Sequence, residues 1–239
     1  MRCLIGRKFQ KLAKSGSIWN YNPVQTLTET IIHQGLANKI LSERQLERAT
    51  LTGPSSRYGL VNRALRSNEL VRIRRGLYVL APRYRTEPPH PFAIAQSLAP
   101  GSYVSFESAL SYHGWIPESV PVLASVVPGR KSSTLEHPTL GSFAFHPLAL
   151  NRGHFLELVE RRQLGSQVAL VAKPLRALMD LVAFRKLQWQ GLAWLTEGMR
   201  IEPQNLRTIT REDIETLSKV YKHIRTNEFL RSLASALDQ

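Results

Sequence analysis

Asn62, Arg63 and Arg66 are spaced so that one helix face would carry all three, and Arg72, Arg74 and Arg75 follow within a short run that reads as a strand and its turn. Arginine can hold O6 and N7 of guanine with two parallel hydrogen bonds, and asparagine can do the same at the N6 and N7 of adenine. Arginines along a strand suit phosphates, which fix register without reading sequence. The chemistry on offer is therefore recognition of a nucleic-acid duplex. At about 100° per residue, Ser55, Ser56 and Gly59 join Asn62, Arg63 and Arg66 on the side opposite Leu60 and Leu65. The glycine would let the helix approach a partner closely. Arg57 falls nearer the apolar stripe and is expected to reach a phosphate or to snorkel. With Tyr58 it completes the candidate DNA-binding set: Ser55, Ser56, Arg57, Tyr58, Asn62, Arg63, Arg66, Arg72, Arg74 and Arg75.

The elements that must position these residues are legible around them. Ser42-Glu43-Arg44-Gln45 has the form of a capping box, with Leu41 and Leu46 as a hydrophobic staple, and predicts a helix ending near Thr50. Gly53-Pro54-Ser55-Ser56 supplies a turn and a new N-cap, and Leu60, Val61, Ala64 and Leu65 form the buried stripe of a second helix. After Asn68 the period becomes two. Val71 and Ile73 face one way, Arg72 and Arg74 the other, and Arg75-Gly76 reverses the chain into Leu77-Tyr78-Val79-Leu80. An amphipathic helix from Val24 to Gln34 would precede them. Helix, helix, helix and hairpin in this order make a winged helix-turn-helix, although any small α+β module with solvated arginines would share the pattern.

Charge is concentrated on the same segment. Residues 1–85 hold 16 Lys+Arg against 4 Asp+Glu, a net of +12, whereas residues 86–239 hold 16 against 14, a net of +2. A local excess of this kind is what counterion release at a polyanion requires. The single Cys3 among 239 residues permits no internal disulfide, which fits a reducing cytoplasm, and no zinc-ligand spacing occurs. No apolar run approaches the roughly 18 residues of a membrane span. Residues 1–22 form a basic leader or arm with a composition that an organellar transit peptide would share.

The winged-helix domain is expected over residues 23–82 and a stiff proline-rich linker over 83–91, where Thr86-Glu87-Pro88-Pro89-His90-Pro91 packs three prolines into six residues. Residues 92–239 read as a mixed α/β domain, making the whole chain α+β. Its helices are predicted at Phe92 to Leu98, Phe106 to His113 (Ser105 as N-cap, Gly114 as stop), Pro174 onward, Arg211 to Tyr221 and Asn227 to Leu237. Its strands are predicted at Val122 to Val127, Ser142 to Phe145 and Gln167 to Val171.

Three blocks, Leu70-Val71-Arg72-Ile73-Arg74-Arg75-Gly76-Leu77-Tyr78-Val79-Leu80, Tyr103-Val104-Ser105-Phe106-Glu107-Ser108-Ala109-Leu110-Ser111-Tyr112-His113-Gly114, and Val168-Ala169-Leu170-Val171-Ala172 running into Pro174 to Leu181, occur in the order found in the AbiEi antitoxins. The chain resembles that family from about Ile40 to Lys186. The resemblance implies a winged-helix domain that represses its own promoter. It also implies a second domain that counteracts a nucleotidyltransferase toxin encoded beside it, in a type IV system where the two proteins need form no stable complex. In the third block the family has Pro-Glu-Lys-Ala-Leu. Here Pro174-Leu175-Arg176-Ala177-Leu178 keeps the cation and lacks the acid.

Arg176 and Asp180 stand at i and i+4, read as an exposed pair on the face away from Leu178; with Lys173 they are the candidate residues for antitoxin function. Arg130-Lys131 falls in a predicted inter-strand loop, where it would either extend the basic footprint or be plainly solvated. The seven histidines are scattered, and no metal-ligand pair, nucleophile elbow, phosphate loop or dinucleotide fingerprint is present. A non-enzyme without cofactor or metal is expected. Two other readings stay open: a stand-alone regulator whose second domain dimerises or senses a ligand, and a protein that binds structured RNA.

Overall fold

The structure is a computed structural model that describes residues 26–237; the basic leader and the first residues expected in the first helix lie outside the described residues. The N-terminal part runs α1 (Leu27–His33), β1 (Leu41–Ser42), α2 (Glu43–Thr50), α3 (Pro54–Arg66), β2 (Leu70–Arg74) and β3 (Leu77–Leu80). The three strands form one antiparallel sheet in the order β1-β3-β2. This is the order of a winged helix. Both leading helices open with reciprocal capping boxes, Thr26 with Glu29 and Ser42 with Gln45, and the staple residues Leu41 and Leu46 are fully buried.

Two local expectations are corrected. α3 starts on Gly53 as N-cap with Pro54 at its first position, so Ser55 and Ser56 lie inside its first turn and cap nothing. In the hairpin Arg72 pairs with Tyr78 and Arg74 with Leu77, which leaves Ile73 as the extra residue of a bulge. Successive β3 residues face opposite ways, so Arg72 and Arg74 do not share a face as strict alternation would have it.

β3 is buried along its whole length because both its faces are covered. Tyr78 and Leu80 pack with Leu27, Ile31, Leu46, Val61 and Ala64 of the three helices. Leu77 and Val79, with Ile73 of the bulge, belong to the larger core of the rest of the chain. The wing is thus a shared layer between the two parts.

The second part contains α4 (Pro91–Leu98), β4 (Tyr103–Val104), α5 (Phe106–Tyr112), β5 (Val122–Val126), β6 (Ser133–His137), β7 (Gly141–His146), β8 (Val159–Leu164), β9 (Gln167–Ala172) and α6 (Pro174–Arg185). A π-helical turn at Trp194–Gly198 and α7 (Pro203–Leu206), α8 (Arg211–Leu217) and α9 (Ile224–Leu237) complete it. Its six strands form a mixed sheet ordered β6-β7-β5-β4-β9-β8, with β5 parallel to β7 and β4 parallel to β9. The chain is therefore α+β, as its patterning predicts. Among the described residues no helix is long and apolar enough to cross a membrane.

The proline-rich segment, expected to be a stiff spacer, is bonded on both sides. Asn38 Oδ1 accepts from the amides of Thr86 and Glu87 at 2.9 and 3.3 Å. Glu87 Oε2 accepts from the Ser166 amide at 2.9 Å, and Gln167 Oε1 from the His90 amide at 3.0 Å. These bonds fasten it to the α1–β1 loop and to the β8–β9 turn.

Candidate nucleic-acid interface

α3 divides into an inner and an outer face. Val61 and Ala64 are buried, Leu60 and Leu65 half-buried, and Ser55, Ser56, Tyr58, Arg63 and Arg66 exposed, with Asn62 half-exposed. Ser55, Ser56, Gly59 and Arg63 line a hollow of 730 Å³ shared with Gln34, the C-cap of α1, and Thr52 of the α2–α3 turn. Gln34 Nε2 donates to the Ala49 carbonyl at 2.8 Å and holds α1 against α2 at its margin. A methyl group added at Gly59 would meet nothing nearer than Arg63 Nη1 at 3.7 Å. Packing inside the chain therefore does not demand a glycine here, although glycine within a helix costs about 0.5–1 kcal/mol relative to alanine. The space it leaves opens outward.

Arg57 does something other than expected. It is only 9% exposed, and its guanidinium donates to the Thr52 carbonyl at 3.1 Å. It also lies 3.5 Å from a Glu43 oxygen and 3.7 Å from a Glu47 oxygen. It clamps α3 to α2 and does not reach outward for a phosphate. The clamp has an electrostatic effect as well, since it neutralises the two acids of α2 and leaves that helix's Arg44 and Arg48 exposed on the same segment. Sequence reasoning passed over Arg44 and Arg48; their i, i+4 spacing on a helix next to α3 was the available signal. Among the described residues, Arg44, Arg48, Arg63, Arg66, Arg72, Arg74 and Arg75 are all exposed and none forms an ion pair. Arg83, in contrast, donates to the Ser67 carbonyl at 3.1 Å just beyond the end of α3.

The wing arginines sit on a fixed base. Arg72 is exposed, and its carbonyl accepts from His137 Nε2 at 3.1 Å, while His137 Nδ1 accepts from the Thr139 amide at 3.2 Å. The second amide bond assigns the ring proton to Nε2. Gly76 turns the hairpin at φ +78°, where only glycine is at ease.

No family model matches the chain, and no curated protein matches it. Among solved structures it is similar to the RV2827C protein from Mycobacterium tuberculosis, with 14% identity over 89% of this chain and 78% of that chain, at a TM-score of 0.45. That likeness is too distant to bear on function.

The residues considered for antitoxin function are not exposed together. Arg176 and Asp180 are both completely buried, which corrects their reading as a surface pair. Asp180 accepts from Tyr103 and Ser105 on one oxygen, at 3.0 and 2.7 Å, and from Arg176 and Tyr221 on the other, at 2.9 and 2.8 Å. Ser105, expected as a helix N-cap, makes no such bond because its hydroxyl serves Asp180. Arg176 also donates to the Glu157 carbonyl at 2.8 Å and to the Tyr103 hydroxyl at 2.6 Å. Burial alone would lower its pKa; the adjacent Asp180 carboxylate, together with Tyr221 and Tyr103, more than offsets that and raises it. Lys173 remains partly exposed, 3.7 Å from Glu160. Among the described residues no three His, Cys, Asp or Glu side chains are grouped to hold a metal.

Proposed function

We propose that this protein is a duplex-DNA-binding antitoxin that represses its own operon. The observation that carries the DNA-binding reading is the exposed face of α3, with Asn62, Arg63 and Arg66 outward and their arginines free of intramolecular ion pairs. Residues 26–85 alone carry 11 Lys+Arg against 4 Asp+Glu, a net of +7. Exposed cations that neutralise nothing within their own chain release counterions when they meet phosphates. α3 enters the major groove and reads base edges with Asn62, Arg63 and Arg66. Its Gly53 N-cap has no side chain, so the first amides of the helix remain available to a phosphate. Arg72, Arg74 and Arg75 on the hairpin, with Arg44 and Arg48 on α2, lie along the backbone on either side. The antitoxin part of the proposal rests on the resemblance to the AbiEi family. Its target is a nucleotidyltransferase toxin.

The test is fluorescence anisotropy of the full chain on a duplex from its own promoter region, over a range of salt. Arg63→Ala is expected to blunt sequence preference by about 1–3 kcal/mol, the worth of a bidentate base contact. Arg74→Ala is expected to weaken all duplexes alike and to flatten the salt slope by about one unit. No duplex binding at low salt removes the proposal. Equal displacement by structured RNA transfers it to RNA.

A further inference from the structure

A second cleft lies on the six-stranded sheet, remote in sequence from the winged helix. It has a volume of 460 Å³, within the usual range for small-molecule sites of about 300–1,000 Å³. Its floor is the small pair Ala124 and Ala144, which face each other on neighbouring strands β5 and β7. Two alanines side by side on a sheet leave the depth of a ring above them. The wall is aromatic. His146 and Phe184 have ring centroids 4.3 Å apart at 35°, and the buried Phe106 supports Phe184 from the core at 5.3 Å. Phe184 is 42% exposed and Val122 at the mouth 41%, so the cleft gathers apolar surface that the chain leaves in water. Phe106 is held at φ +55°, a left-handed conformation that an aromatic residue adopts only at a cost in energy.

The rim supplies charge. Glu107 lines the cleft and pairs with Arg185, which also lines it, with side chains 27% and 55% exposed. Glu118, which also lines the cleft, pairs with Arg200. The cleft is therefore balanced, with a carboxylate and a guanidinium adjacent at one point of its edge. An exposed pair of this kind gains little from its own attraction, because water screens it and both side chains must be ordered. Its partners can be exchanged at small cost for those of a ligand. Burial holds the His146 pKa below its ordinary value, so the wall adds no charge at neutral pH.

We infer that this cleft binds a small aromatic zwitterion, a free aromatic α-amino acid, with its ring against Phe184 and His146 above Ala124 and Ala144, its ammonium on Glu107 and its carboxylate on Arg185. A flat ring meets the aromatic wall at favourable offset or edge geometries. Neighbouring opposite charges on the ligand match the neighbouring opposite charges on the rim. Arginine suits the carboxylate because it can donate two parallel hydrogen bonds.

The experiment is calorimetric titration of the full chain with L-tryptophan, indole, tryptamine and indole-3-propionate. Saturable binding of L-tryptophan with a Kd below about 1 mM is expected, and binding of the other three weaker by at least about tenfold. Arg185→Gln is expected to reduce L-tryptophan to the level of tryptamine. Ala144→Leu, which fills the floor, and Val122→Arg, which blocks the exposed mouth without touching the core, are each expected to abolish binding while affinity for DNA is retained; if Ala144→Leu does not fold, Val122→Arg alone decides. Absence of saturation with L-tryptophan overturns the inference. So does indole binding as tightly as L-tryptophan, or binding that survives Val122→Arg.

Discussion

Arg176 and Asp180, one helical turn apart on α6, meet at 2.9 Å with neither side chain exposed to solvent. The pair is satisfied from all sides: Tyr103 and Ser105 reach it from β4 and the start of α5, Tyr221 from the segment before α9, and the carbonyls of His154, Phe155 and Glu157 receive the rest of the guanidinium. α6, the centre strand and the C-terminal helices are thereby tied to one point. A buried ion pair adds little stability over well-packed apolar residues, but breaking it is costly because one charge stays buried alone.

Asp180→Asn is accordingly expected to destabilise the protein by about 3–5 kcal/mol in urea unfolding, by leaving Arg176 uncompensated. The double replacement Arg176→Met with Asp180→Leu should recover most of that loss. If the double variant is no better than the single one, the network's hydrogen bonds, not its charges, carry the stability.

The same centre sets an alkaline limit. Burial, followed by the nearby Asp180 carboxylate, raises the pKa of both Tyr103 and Tyr221 well above the ordinary 10.0. A phenol whose pKa is raised on folding stabilises the folded state fully below the unfolded value of about 10, and that stability is lost as pH rises towards the folded value. Stability should therefore fall with pH only above about 10. In an ultraviolet phenolate titration, two of the seven tyrosines should ionise together with unfolding and not before it. Ionisation of all seven in the still-folded protein would contradict the burial of these two.

How the two parts share the wing bears on cooperativity. Leu77 and Val79 belong to one core and Tyr78 and Leu80 to the other, on alternate faces of a single strand. Leu77→Ala should cost about 2–5 kcal/mol, as for other fully buried leucines, and should lower the stability of both parts together in a single transition. Two separated transitions followed by backbone and aromatic signals would show the parts to be independent.

What was legible in the sequence follows from how each element is buried. The capping box of α2, the α3 stripe and strands β5, β7 and β9 read correctly because each has a local apolar period or a local cap. β6 and β8 are the two edges of the six-stranded sheet, carry Ser-Thr-Leu-Glu-His and Val-Glu-Arg-Arg-Gln-Leu, and bury no continuous face, so they give no strand pattern. β1 and β4 are two residues long and exist only through their partners. Within the candidate interface, the outward set on α3 came from helical period alone. Arg57 did not, because its partners Glu43 and Glu47 lie on another helix. Arg176 and Asp180 were misread by treating α6 as a surface helix. Every residue from Leu175 to Val182 is buried, and a run apolar all round except for one i, i+4 pair is the signature of an interior helix.

The shared wing also decides how the two proposed activities are to be separated. Deleting the winged helix would uncover the faces of the second core that Ile73, Leu77 and Val79 now cover, so a truncated chain is expected to aggregate. Substituting exposed arginines that form no ion pair disturbs neither core. The variant Arg63→Ala with Arg66→Ala and Arg74→Ala is therefore expected to keep the stability of the parent protein, to lose repression of a promoter fusion, and, on the proposed antitoxin reading, still to restore growth when a nucleotidyltransferase encoded beside it is expressed from a separate promoter. Loss of rescue by this variant, at unchanged abundance, would make DNA binding itself the antitoxin mechanism. No rescue by the parent protein would leave a regulator without an antitoxin role.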